Sequence, residues 1–221
     1  MIREVVQDVY LLSGFPNHMI NYYIVGDVLL DAGVRRDKNP ILKASKTHSI
    51  KAHALTHVHP DHQGASHEVC LALNIPLWCS EAEVGAMETG DMSKQIPTNL
   101  ITRVQHQIWT GAAHPVAKGL KEGDLVGGFT VLETPGHSPG HLSFWREQDK
   151  VLITGDVATN ISFVTAREGL HEPLTLFTMN TDQNRQSLKK LAKLNPKTLL
   201  FGHGKPLMDG TKFVDFVAQL G

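Results

Sequence analysis

At 221 residues the chain is long enough to bury a full core within one large domain. Hydrophobic residues make up 41% and charged residues 19%, which excludes a disordered chain. Lys plus Arg (21) nearly balances Asp plus Glu (22), so no net field draws in nucleic acid or an anionic membrane, and neither is expected as a partner.

The opening Met1-Ile2-Arg3-Glu4-Val5-Val6 is too short and too charged for a signal-peptide core. No stretch reaches transmembrane length, and a cytoplasmic location is the expectation. Val9 to Leu12, Ile20 to Val25 and Val28 to Leu30 read as strands, the last two joined by a Gly26-Asp27 hairpin turn. Pro40 to His48 suits a short helix, and Ala52 to Thr56 a buried strand that ends at His57. A helix over Asp61 to Leu73 and a strand over Pro76 to Cys79 follow. Residues 81 to 114 are Met-, Gln- and Thr-rich, with weak helical periodicity broken by Gly90 and Pro97, and read as helical cover joining two halves.

Strands resume at Phe129 to Glu133, Leu142 to Trp145 and Val151 to Thr154. A helix over Asp182 to Leu194, a strand over Thr198 to Phe201 and a last helix over Gly210 to Leu220 complete the chain. Groups of strands followed by helices imply sheets faced by helices. No Pro-, Gly- or Ser-rich linker divides them, so residues 1 to 221 are expected to form one domain. Cys70 and Cys79 are isolated and read as small buried hydrophobes. The anomaly is histidine, with 13 in a nearly neutral chain.

Four of the chain's metal-type side chains lie in His57-Val58-His59-Pro60-Asp61-His62, directly after an apolar strand. In extended backbone, side chains two apart point the same way, so His57 and His59 can converge on one ion. Asp61 and His62 would project from the next helical turn toward a neighbouring point. Burying three histidines and an aspartate together is costly without a cation. Thr134-Pro135-Gly136-His137, Thr154-Gly155-Asp156 and Phe201-Gly202-His203-Gly204 each add one ligand-type residue beside a glycine at the end of a strand. Glycine there lets backbone pack close and leaves the neighbouring side chain facing a shared cleft.

The ordered set H-x-H-x-D-H, T-P-G-H-S-P-G-H, T-G-D and F-G-H-G resembles the metallo-β-lactamase superfamily in its glyoxalase II-like and lactonase-like branches. The likeness extends to Leu29-Leu30-Asp31-Ala32-Gly33 and spans essentially the whole chain. It implies an α/β fold, an αββα sandwich of two mixed sheets flanked by helices, with metals at one edge of the sheets. It further implies that His57, His59 and His137 hold one divalent ion, that Asp61, His62 and His203 hold a second, and that Asp156 bridges both. Nitrogen and carboxylate donors without thiolate suit Zn²⁺, with Fe²⁺ or Mn²⁺ as alternatives. The redox di-iron relatives carry glutamate where His59 stands, which points away from oxygen chemistry.

The activity so implied is attack of a metal-bridging hydroxide on a carbonyl, with Asp61 as the catalytic residue that orients it and passes a proton toward the leaving group. No G-x-S-x-G elbow competes as a nucleophile. His141 is expected to orient ligands rather than to be one, with Asp31 and Thr56 as further candidates for that role. Phe15, His18, Met19, Trp109 and Phe163 are the expected pocket residues, with Met87, Met92, Ile96 and His106 also offered by the cover segment. A thioester, lactone or related ester is the expected small-molecule substrate. Glyoxalase II has a further C-terminal helical region for glutathione, whereas this chain ends soon after His203, which weighs against a glutathione thioester. Phosphodiester cleavage and β-lactam hydrolysis are the alternatives within the superfamily, and a non-enzymatic scaffold would have lost ligands that this chain keeps.

Overall fold

Strand alternation decides how the layers form. In a computed structural model, which describes residues 2–220, β1 (Arg3–Val6), β2 (Val9–Ser13), β3 (Asn21–Val25), β4 (Val28–Leu30) and β5 (Ala52–Ala54) lie side by side in chain order. β6 (Leu77–Ser80) and β7 (Lys118–Leu120) complete a seven-stranded sheet. The first four strands run antiparallel to their neighbours and β4 to β7 run parallel, so the sheet is mixed. β8 (Leu125–Val126), β9 (Phe129–Glu133), β10 (Leu142–Arg146), β11 (Val151–Gly155) and β12 (Thr198–Phe201) form a second, five-stranded sheet. It is mixed as well, because β11 and β12 are parallel.

Successive side chains on a strand face opposite ways, and β3 shows what this achieves. Tyr23 and Val25 face the second sheet and pack in a buried cluster with Phe129, Val131, Phe144 and Ile153. Tyr22 and Ile24 face outward, where Ile41 and Ala44 of α1 (Lys38–Ala44) and Val69 of α3 (Ser66–Leu73) cover them. On the far side, Leu152, Leu199 and Phe201 pack against Leu188 and Leu191 of α6 (Thr181–Ala192) and Phe213 of α7 (Thr211–Ala218). The layers run helix, sheet, sheet, helix, as the resemblance implies. Cys70 and Cys79 are free, buried thiols, and burial pushes Cys70 up to about 12.

The expected helix over Asp61 to Leu73 is two helices, α2 (Pro60–Gln63) and α3. Between them the Gly64 amide donates to the Gly33 carbonyl at 2.8 Å, and the backbone passes so close to Trp109 that a Cβ on Gly64 would lie 2.5 Å from its carbonyl oxygen. The cover segment is helical in two pieces, α4 (Val84–Thr89) and α5 (Leu100–Trp109). β1, β7 and β8 carry no sequence pattern that predicts them. Among the described residues, no helix is long and apolar enough to cross a membrane.

Candidate metal centre

The site lies where strand ends converge. His57 and His59 follow β5, with His59 extended just before α2 and Pro60 at the first helical position, where its missing N–H costs nothing. Asp61 and His62 stand on that single turn. Asp156 follows β11, and His203 follows the parallel β12, so both emerge on one side. His137 lies between β9 and β10.

These seven residues are brought together. One nitrogen each from His57, His59 and His137 forms a group with all atoms within 4.8 Å, and Asp61, His62 and His203 form another by the same measure. Asp156 lies between them: its Oδ2 is 2.9 Å from His203 Nε2, 3.3 Å from His62 Nε2 and 3.7 Å from His137 Nε2. Two of the glycines here show how closely the backbone must approach. A Cβ on Gly202 would fall 2.0 Å from Asp156 Oδ1, and one on Gly155, where φ is +57°, would fall 2.5 Å from His141 Nε2.

Each of the five histidines has one ring nitrogen already engaged. Asp31 accepts from Thr56 Oγ1 and from His62 Nδ1, both at 2.9 Å. With its proton given to Asp31, Thr56 Oγ1 accepts from His57 Nδ1, also at 2.9 Å. His59 Nε2 donates to the Gln95 carbonyl at 2.8 Å, and His203 Nδ1 donates to the Met19 carbonyl. His137 Nδ1 meets Thr178 Oγ1 at 3.3 Å, and that hydroxyl donates onward to the Leu174 carbonyl. An acceptor on one nitrogen fixes the tautomer and leaves the other with a lone pair.

That arrangement fits a cation. The buried His57 Nε2, His137 Nε2 and Asp156 Oδ1 have no hydrogen-bond partner within the protein, a costly state unless something else binds there. Burial holds His57 and His137 well below their usual value, so they are neutral bases. Burial opposes charge on His203 as well, but Asp156 and Asp61 outweigh it and push it up to about 10. A divalent ion bound to these carboxylates and to His203 would take the place of that proton.

His141 is held otherwise. Its Nδ1 pairs with Thr134 Oγ1 at 2.9 Å, and its Nε2 accepts from the Asp156 amide at 2.9 Å. Burial lowers its value to about 3, which leaves it the neutral acceptor this geometry needs.

Sequence reasoning missed Glu83. This buried carboxylate accepts from the Val58 amide at 2.8 Å, the Gly140 amide at 3.1 Å and the Ser138 hydroxyl. Burial pushes its value up, and these hydrogen bonds pull it back. Glu83 thereby ties the His57–His59 loop to the loop that carries His137. Glu83→Ala leaves three buried donors unpaired at about 1–3 kcal/mol each. We expect denaturant unfolding in chelator to show a loss of roughly 3 kcal/mol or more; a loss below ~1 kcal/mol would contradict the tie.

A cleft of about 430 Å³ opens onto the cluster, with His59, Asp61, His137, Asp156 and His203 in its lining. Phe15, Met19, Trp109 and Phe163 line it as expected, and Phe163 stacks edge-on to His203 with ring centroids 4.9 Å apart. His18 does not line it. The residue has a left-handed φ of +64°, its Nδ1 is buried, and its carbonyl accepts from the Gly204 amide at 2.7 Å. Met87 and Met92 belong to the core cluster beneath the cover, Ile96 reaches the cleft, and His106 faces a separate groove.

Known proteins match over the same residues. A family model described as "Metallo-beta-lactamase superfamily" covers residues 16–203. The chain belongs to the metallo-β-lactamase superfamily. Among its superfamily relatives is the Bacillus subtilis (strain 168) protein described as "Probable metallo-hydrolase YflN". It is 28% identical over 213 residues, which cover 87% of this chain and 80% of the relative. A hydroxyacylglutathione hydrolase of Bdellovibrio bacteriovorus is 30% identical over 181 residues, 79% of this chain and 56% of that protein. The crystal structure of TTHA1623 in a di-iron-bound form shares the fold with a TM-score of 0.69 at 26% identity, over 93% of this chain and 96% of that one.

Proposed function

We propose that this single-domain member of the superfamily is a dinuclear metal-dependent hydrolase of a small carbonyl compound: a thioester, lactone or related ester. The observation that carries the reading is Asp156, whose Oδ2 lies within 3.7 Å of histidines from both ligand groups. His57, His59 and His137 would hold one ion, Asp61, His62 and His203 the other, and Asp156 both. Bound there, two divalent ions supply Lewis acidity toward a carbonyl and toward water. Nitrogen and oxygen donors suit zinc, and the di-iron form of a structural relative keeps iron as the alternative.

The chain's own residues do the rest. Asp61 is the more accessible of the two carboxylates, with 20% of its side chain exposed against 5% for Asp156. Burial opposes its charge, but the hydrogen bond to His203 and the charge of His62 hold it below the usual carboxylate range. It is therefore ionised, and we assign to it the proton that passes from the attacking water to the leaving group. Asp31, Thr56, Gln95, Thr178 and Met19 hold the imidazoles in orientation. Arg36 is the single Lys or Arg in the cleft lining, which gives a phosphodiester backbone little to bind.

The test is elemental analysis coupled to a panel of an acyl-glutathione thioester, an acyl-homoserine lactone, a β-lactam and a phosphodiester. Two metals per chain with turnover of one carbonyl substrate is the expected result. Protein that cannot be loaded with metal, or that cleaves only the phosphodiester, would overturn the reading. His141→Ala, which frees the Asp156 amide, should weaken metal affinity roughly 10–100-fold. His137→Ala should cost more in the same titration, and equal losses would make His141 a ligand.

A further inference from the structure

Within the cover segment, α5 hides little of its own apolar surface. In α5, Leu100, Ile101, Val104 and Ile108 recur along one helical stripe, yet they are 78%, 51%, 46% and 59% exposed. A helix of this kind normally turns such a stripe inward. The only residue of α5 that is buried is Thr102, whose amide donates to the capping Asn99 Oδ1 at 3.0 Å. Asn99 also donates from Nδ2 to the Leu176 carbonyl at 2.9 Å. One residue thus starts α5 and latches the turn Thr175–Phe177 beside it.

The two elements wall the cleft together. Ile101 and Trp109 come from α5, Leu174, Leu176 and Phe177 from the turn tied to its cap, and Ile96 from the segment before α5. The turn is further tied to the metal-type cluster, because Thr178 joins the Leu174 carbonyl to His137. A cleft of about 430 Å³ is within the ordinary range for small-molecule sites. Charged recognition is sparse there. Arg36 is the one guanidinium or ammonium in the lining, and its Nη2 already donates to the Phe15 carbonyl.

We propose that the substrate is recognised through an apolar, uncharged acyl chain held between α5 and residues 173–177, and not through charges on its leaving group. This rests on the hydrolase reading above and narrows its substrate class. It sets this chain apart from the activity in the name of its hydroxyacylglutathione hydrolase relative, since the two carboxylates of glutathione would meet one committed arginine.

The experiment uses the zinc-loaded protein and straight-chain acyl thioesters from acetyl to decanoyl, each made with N-acetylcysteamine and with glutathione. Burial of each methylene in an apolar cleft should raise kcat/KM by about fourfold until the cleft is full. Leu176→Asp and Ile101→Asp should flatten that rise while metal content stays at the wild-type level. In parallel, tryptophan fluorescence of metal-free protein is titrated with decanamide and acetamide, with Trp109→Phe assigning the signal among the three tryptophans, and decanamide alone should bind. Decanamide binding with no hydrolysis of any thioester would remove the hydrolase reading and keep the apolar cleft. Hydrolysis that ignores chain length, or that requires glutathione whatever the acyl group, would overturn this inference and leave the hydrolase reading standing.

Discussion

Asp156→Ala is expected to abolish binding of both metal ions, whereas loss of any one histidine should weaken chiefly the ion it serves. The reason is geometric. Asp156 Oδ2 is within 3.3 Å of His62 and His203 and 3.7 Å of His137, so one oxygen serves both ligand groups. Its amide, not its side chain, is what His141 holds, so the substitution leaves the backbone anchored. Metal binding to the native state also stabilises it, by about 4 kcal/mol when free metal is a thousandfold above Kd. Chelator should therefore lower the melting temperature of the wild type and leave that of Asp156→Ala unchanged. Asp156→Asn keeps the volume and one oxygen and controls for misfolding, with circular dichroism as the check. Two ions at wild-type occupancy in a folded Asp156→Ala protein would remove the bridge from the reading.

The ligand-type residues were legible because each announces itself locally. His57, His59, Asp61 and His62 are nearly contiguous, and His137, Asp156 and His203 each follow a strand and a glycine. The central strands were legible for a similar reason, since burial on both faces favours the largely apolar runs seen in β3 and β11. What escaped depends on partners far away in the chain. β1, β7 and β8 have two to four residues each and are strands only because a neighbour supplies a ladder. Gln95 and Met19 orient ligands through backbone carbonyls, which every residue has. Glu83 sits in a segment with no motif, and its use appears only when Val58, Ser138 and Gly140 meet around it. The wall at residues 173–177 left one faint trace, the apolar Pro173-Leu174 and Leu176-Phe177 in a stretch otherwise without periodicity.

Asp61→Asn is expected to lower kcat by on the order of a hundredfold or more, the scale of a lost acid–base group. Much of the metal should remain, because His62, His203 and Asp156 still surround the position. The substitution preserves shape and one oxygen but removes the charge that accepts a proton. KM should change little, since the side chains that wall the cleft, Ile101, Leu176 and Phe177, are untouched. Steady-state kinetics and metal analysis on the same preparation separate the two roles. If kcat falls only in proportion to lost metal, Asp61 is a ligand and nothing more. If kcat is unchanged at full occupancy, the proton must travel by another group. His203, 3.4 Å from Asp61, is the nearest candidate, although a lone pair committed to metal leaves it poorly suited to carry one.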